Sequence, residues 1–137
     1  MATDLETPNS TESRELVHFV TQQTRFALVN NVLQHPKQLP SMYELEQLNP
    51  SVSDATVYKH VQKLIDAGIV EEVTLPEDER RQGYPWKFYA LTDEGRQFLD
   101  RHNLLAAEET LQRMYETISD KPEKMVKYEN APRPERS

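Results

Sequence analysis

The residues best placed to do chemistry in this chain are Thr56, Lys59, Gln62 and Lys63, within the stretch "SVSDATVYKHVQKLIDAGIV" at 51 to 70. Their spacing gathers them on one side of a helix. With Val57 at the origin and about 100° per residue, Val61 and Leu64 fall within about 40° of it, and Ile65 stands beside them. Thr56, Lys59 and Lys63 lie toward the opposite side, flanked by Ala55 and Gln62. One face is therefore apolar, the other small, hydrogen-bonding and cationic. Small residues let a helix enter a duplex groove about 12 Å wide, and longer side chains then reach base edges and phosphates. Ser51 and Ser53 stand at the helix start, where hydroxyls and free backbone N–H groups hold anions. Any solvated helix has a polar face, so this pattern gains its weight from what surrounds it.

A second set of cations lies in "PEDERRQGYP", bracketed by Pro76 and Pro85 and containing Gly83. The flanking segments "IVEEVTL" and "WKFYAL" are rich in β-branched and aromatic residues and read as two strands of a hairpin. Arg80 and Arg81 then sit at its tip, able to lie along a phosphate backbone or enter a minor groove, with Lys87 on the returning strand within reach of phosphate. Trp86, Phe88 and Tyr89 read as core and interface residues rather than as a stacking platform for bases.

Other chemistries have little to stand on. The absence of cysteine removes disulfides, thiolate nucleophiles and thiol redox sensing. His18, His35, His60 and His102 show no ligand spacing, so neither a metal nor another cofactor is expected. No nucleophile–base pattern or glycine-rich phosphate loop occurs, and each of the three glycines has a structural post, so no enzyme is expected. No apolar run approaches the roughly 18 residues of a membrane-spanning helix. The acidic start "MATDLETPNSTE" is unlike a secretory signal, and a cytoplasmic location is expected.

The elements that must position these residues can be read from pattern. Residues 1–10 are expected to be disordered. Two helices follow, with Leu16, Phe19 and Val20 on one stripe and Phe26, Val29 and Leu33 on another; Thr24 can open the second and Pro36 ends it. Ser41 and Glu44 form a capping box for a short helix over 42–48. Pro50 forces a turn, Ser53 caps the next helix, and Gly68 supplies its left-handed end. After the hairpin, Thr92 caps a long helix carried to about Ser119 by Phe98, Leu99, Leu105, Leu111, Met114, Tyr115 and Ile118, with a kink near His102 and Asn103. Residues 120–137 read as a flexible tail. The fold class is mainly α with a small β-hairpin (α+β): one domain over 11–91 followed by a C-terminal helix over 92–119.

Two helices joined by a short turn are themselves a DNA-binding motif. The chain here resembles the winged-helix transcription regulators of the PadR and MarR type, through "Ser-x-x-Thr-Val-Tyr-x-x-x-x-x-Leu" at Ser53–Leu64 and "Leu-Thr-x-x-Gly-Arg" at Leu91–Arg96. The acidic composition is most similar to their haloarchaeal oxidative-stress members. The resemblance spans roughly residues 14–119. It implies a winged helix-turn-helix that binds double-stranded DNA as a homodimer on a two-fold symmetric operator, with dimer contacts from the N- and C-terminal helices. Leu16, Phe19, Leu105, Leu111, Met114, Tyr115 and Ile118 would supply that interface. An oxidative-stress role follows only as an implication, and without cysteine it would have to work through methionine oxidation, at Met42, Met114 or Met125, or through a bound ligand.

Charge runs against this reading. The formal net charge is −7. Between 51 and 91 the bases Lys59, Lys63, Arg80, Arg81 and Lys87 are outnumbered by Asp54, Asp66, Glu71, Glu72, Glu77, Asp78 and Glu79. Phosphate binding draws on cations. Either the bases cluster on one face, or the protein works in concentrated salt, where the counterion contribution is already small. A winged helix serving as a protein-interaction module is the alternative that the acidity would suit.

Overall fold

A computed structural model describes residues 6–105 and 107–135, with side chains from Thr11 onward. The order of elements is α1 (Glu6–Val20), α2 (Gln23–Gln34), α3 (Met42–Gln47), α4 (Asp54–Asp66), β1 (Val70–Thr74), a 3-10 turn (Glu77–Glu79), β2 (Lys87–Leu91), α5 (Asp93–Arg101), α6 (Glu108–Glu116) and α7 (Glu123–Glu129). The strands pair antiparallel, from Val70 opposite Leu91 to Thr74 opposite Lys87. The Tyr89 N–H donates to the Pro40 carbonyl at 2.9 Å, which ties the segment before α3 to the free edge of β2.

The main core lies where α2, α4 and the hairpin meet, with Leu28, Val29, Val57, Val61, Leu64 and Tyr89 all buried. Gly95 lets α5 close against it. A β-carbon there would stand 2.4 Å from the Ile69 carbonyl oxygen, and Thr92 both caps α5 and donates its hydroxyl to the Gly68 carbonyl at 2.5 Å. The "LTDEG" pattern thus seats the last part of the chain on the base of the hairpin.

Four sequence expectations need correction. Helix α1 already begins at Glu6, inside the lead-in expected to be disordered; residues 1–5 of that lead-in lie outside the described residues. The cap of α2 is Gln22, whose side chain accepts the Arg25 N–H, and not Thr24. The long C-terminal helix does not exist as one piece. Asn103 takes φ 58°, the Leu104 N–H returns to the Leu99 carbonyl at 2.7 Å and the Asn103 N–H to that of Asp100 at 3.1 Å. This is the same left-handed ending that Gly68 gives α4, where Ile69 bonds back to Leu64. The chain then reverses and α6 packs on α2 of the same chain. Leu111 and Tyr115, expected at a dimer interface, are buried within the chain; Met114 alone of that set is exposed, and Leu16, Phe19, Leu105 and Ile118 are half-buried.

The fourth correction concerns the expected flexible tail. Helix α7 lies along α3, with Met125 and Ala131 buried and the Tyr128 ring edge-on to Tyr43 at 5.2 Å. Beyond it Arg133 enters the domain. One guanidinium nitrogen donates to Glu44 Oε1 at 2.7 Å, the Nε to the Leu39 carbonyl at 3.1 Å, and Nη1 to the carbonyls of Tyr128 and Ala131. The other carboxylate oxygen of Glu44 is 2.7 Å from His35 Nε2. Because His35 Nδ1 accepts the Lys37 N–H at 3.1 Å, the ring proton resides on Nε2 and is donated to Glu44. Glu44 is fully buried, and burial pushes its carboxyl upward. The hydrogen bond from His35, the charge of Arg133 and the Ser41 N–H outweigh that push and leave it below the ordinary carboxylate value.

Candidate nucleic-acid interface

Helices α3 and α4 are held as a pair by short-range bonds. Ser41 and Glu44 complete the capping box: the Glu44 N–H donates to Ser41 Oγ, and the Ser41 N–H donates to Glu44 Oε1 at 2.9 Å. In the connecting turn, the Val52 N–H donates to the Asn49 carbonyl. The Asn49 amide donates to Asn31 on α2 at 2.7 Å and to the Leu45 carbonyl at 2.8 Å, which pins the turn to the core.

Ser53 caps α4. Its hydroxyl accepts the Thr56 N–H at 3.1 Å and donates to Thr56 Oγ1 at 2.9 Å, so this oxygen is committed to holding the helix start. Val57, Val61 and Leu64 face inward and are buried. Ala55, Lys59 and Lys63 are exposed on the other side and Thr56 and Gln62 are half-buried, as the wheel predicts. Ser51 is exposed just before the cap. The acids of α4, Asp54 and Asp66, stand only at its two ends.

In the hairpin the two arginines differ. Arg81 is exposed, its guanidinium 4.6 Å from the centre of the Tyr84 ring. Arg80 is folded back: its Nε donates to the Leu75 carbonyl at 2.9 Å and its guanidinium covers Trp86 at 3.8 Å. Lys87 lies over the same ring at 5.2 Å and 3.8 Å from Glu72. Phe88 and Tyr89 are core residues as expected, whereas Trp86 is 37% exposed and serves as a platform for cations.

This arrangement has a solved counterpart. The structure of a protein with a GntR-superfamily winged-helix-turn-helix domain from Halomicrobium mukohataei matches with a TM-score of 0.79 at 28% identity, over 89% of this chain and 85% of that one. The fold is a winged helix-turn-helix. No protein-family model and no curated protein matches the chain. The likeness supports a winged-helix regulator in general; it does not single out the PadR or MarR type or their oxidative-stress members. In the terms of this fold α4 is the recognition helix and the β1–β2 hairpin is the wing.

Two residues of the recognition helix escaped the sequence reading. Tyr58 is 54% exposed; the nearby Tyr89 hydroxyl on β2 is pushed up to about 12 by burial, then by Glu72 and by Tyr58. Tyr58 was visible only as a letter of the family pattern, between the apolar and cationic faces. His60 is nearly buried, and Arg25 of α2 donates to its Nδ1 at 3.0 Å while donating its Nε to the Phe19 carbonyl at 2.7 Å. Burial, then Arg25, Lys59 and Lys63, hold the imidazole below its ordinary value. Arg25 lies 35 residues from His60, and no local spacing announces it.

Proposed function

We propose that this protein is a sequence-specific DNA-binding transcription regulator that acts as a homodimer on a pseudo-palindromic operator. The observation that carries the reading is the outward face of the recognition helix. Ala55, Thr56, Lys59, Gln62 and Lys63 lie on the side away from the core, where α4 places one acid, Asp66, at its C-terminal end, in a chain whose net charge is −7. The bases are therefore segregated, which is what phosphate and base-edge contact requires. Thr56, Gln62 and Ala55 read base edges in the major groove, Lys59 and Lys63 reach bases or flanking phosphates, and the wing's Arg81 and Lys87 meet the backbone or minor groove alongside.

A second protomer fits on the remaining exposed or half-buried apolar side chains, Leu16, Phe19, Leu105, Met114 and Ile118. The acidic balance favours work in concentrated salt, with affinity falling less with salt than is usual.

Selection from random duplex DNA at low and at molar potassium chloride tests this reading. The expected result is a palindromic motif, recovered at both salts and lost when Thr56 and Lys59 are both replaced by alanine. Absence of enrichment at either salt overturns it and favours a protein partner for the same surface.

A further inference from the structure

Helix α7 takes no part in the reading above, yet it lies against both the α3 side of the helix-turn-helix and the wing, and it carries two exposed lysines. Lys127 Nζ stands 4.6 Å from the centre of the Tyr84 ring, the ring that the guanidinium of Arg81 also covers at 4.6 Å. Lys124 Nζ stands 4.5 Å from the centre of Tyr43 on α3 and 5.3 Å from that of Tyr128. Among the described residues, Arg81, Lys124 and Lys127 enter no ion pair. A ring face fixes a cation in place while leaving its outer side free for an anion. Two like charges gathered on one ring repel each other until an anion joins them.

The charges of α7 are sorted in the same sense. Glu129 is turned inward, accepting from Lys121 at 2.8 Å and from the Tyr115 hydroxyl at 2.6 Å, and Glu123 is the one exposed acid of α7, beside Lys124 and Lys127 on the same surface. Lys124 stands on the α3 side, near enough to Glu46 to oppose the upward push that burial and Asp54 give that carboxyl. The position of α7 is fixed by Met125 and by the buried Arg133–Glu44 pair.

We propose that α7 is a third DNA-contacting element, with Lys124 and Lys127 holding backbone phosphates next to those met by Arg81 of the wing. Cations from the recognition helix, the wing and α7 then meet one duplex, with the exposed acids Asp54 and Glu77–Glu79 interspersed. The α7 contacts add affinity without sequence preference, because phosphates carry none. This rests on the DNA-binding reading.

The test uses the full chain and the duplex recovered by selection. The K124Q/K127Q protein is expected to keep the wild-type melting temperature and the same preferred sequence, since both side chains are exposed. It is expected to lose affinity equally for operator and unrelated duplex. Its fall in affinity between 50 and 200 mM salt becomes shallower by about tenfold, two phosphate contacts' worth at a slope of about 0.9 each. The K124R/K127R protein is expected to restore the wild-type slope. Wild-type protein that binds the operator while K124Q/K127Q binds with the same affinity and slope overturns this proposal alone. Wild-type protein that binds no duplex overturns the DNA-binding reading with it.

Discussion

Arg133 and Arg81 carry the same guanidinium and are used in opposite ways. Arg133 is 5% exposed at its side chain, paired with a fully buried Glu44 and bonded to the carbonyls of Leu39, Tyr128, Glu129 and Ala131, so nothing of it is left for a partner. Arg81 lies in water at the wing tip with a tyrosine ring behind it. The first holds α7 and the C-terminal segment to α3; the second presents charge outward. Net charge does not distinguish these uses, and a sum of −7 therefore says little about the sign of any one face.

The contrast can be broken most directly by removing each arginine. Arg133→Ala leaves Glu44 buried beside His35 without its cation, and loss of one partner of a buried pair costs about 3–5 kcal/mol. Arg81→Ala touches only an exposed side chain and is expected to fall within about 0.5 kcal/mol of wild type. Urea unfolding measures both, and equal midpoints for the two variants would refute the division of roles.

A smaller effect follows from pH. The folded-state pKa of Glu44 is depressed, so folding favours the ionised form. That stabilisation is complete above the ordinary carboxyl value of 4.5 and drains away as pH falls through the lower, folded-state value. Stability measured from pH 6 downward should decline in the wild type and decline less steeply in Glu44→Gln, which starts from a lower plateau because Arg133 has lost its partner. Parallel curves would show that Glu44 does not govern the acid limb.

What could be read from sequence follows the range of the interaction. The Ser41–Glu44 box, the Ser53 and Thr92 caps and the Gly68 ending each rest on residues three to five apart, and each stands where the pattern puts it. Asn103 belongs to the same class. Its left-handed turn repeats that of Gly68 bond for bond, but asparagine marks such endings less often than glycine, and an apolar stripe continuing to Ile118 favoured one long helix. The Arg133–Glu44 bond spans 89 residues, and no periodicity records a single pair at that distance. Within the wing, Arg80 and Arg81 are equivalent as letters; the Leu75 carbonyl and the Trp86 ring, which exist only once the hairpin forms, separate them. The cationic face of α4 was legible because it is helical periodicity, whereas the α7 lysines were not, since the positions of Tyr43 and Tyr84 depend on the fold.

The smallest effect concerns His60, which lies between the two uses of charge. It is nearly buried like Glu44, but its charged neighbours are the cations Arg25, Lys59 and Lys63. Burial and these cations together disfavour protonation in the free protein. Phosphates drawn to Lys59 and Lys63 offset that repulsion, so the imidazole pKa rises on binding and a proton is taken up. Affinity for DNA should then increase as pH falls from 8 to 6. The increase is limited to a factor of a few, because protonation at Nδ1 forfeits the bond from Arg25 and burial persists in the complex. His18, His35 and His102 lie on other elements, so the trend should vanish in His60→Gln at constant salt. A pH dependence that survives this substitution would place the proton uptake elsewhere and remove His60 from the electrostatics of the interface.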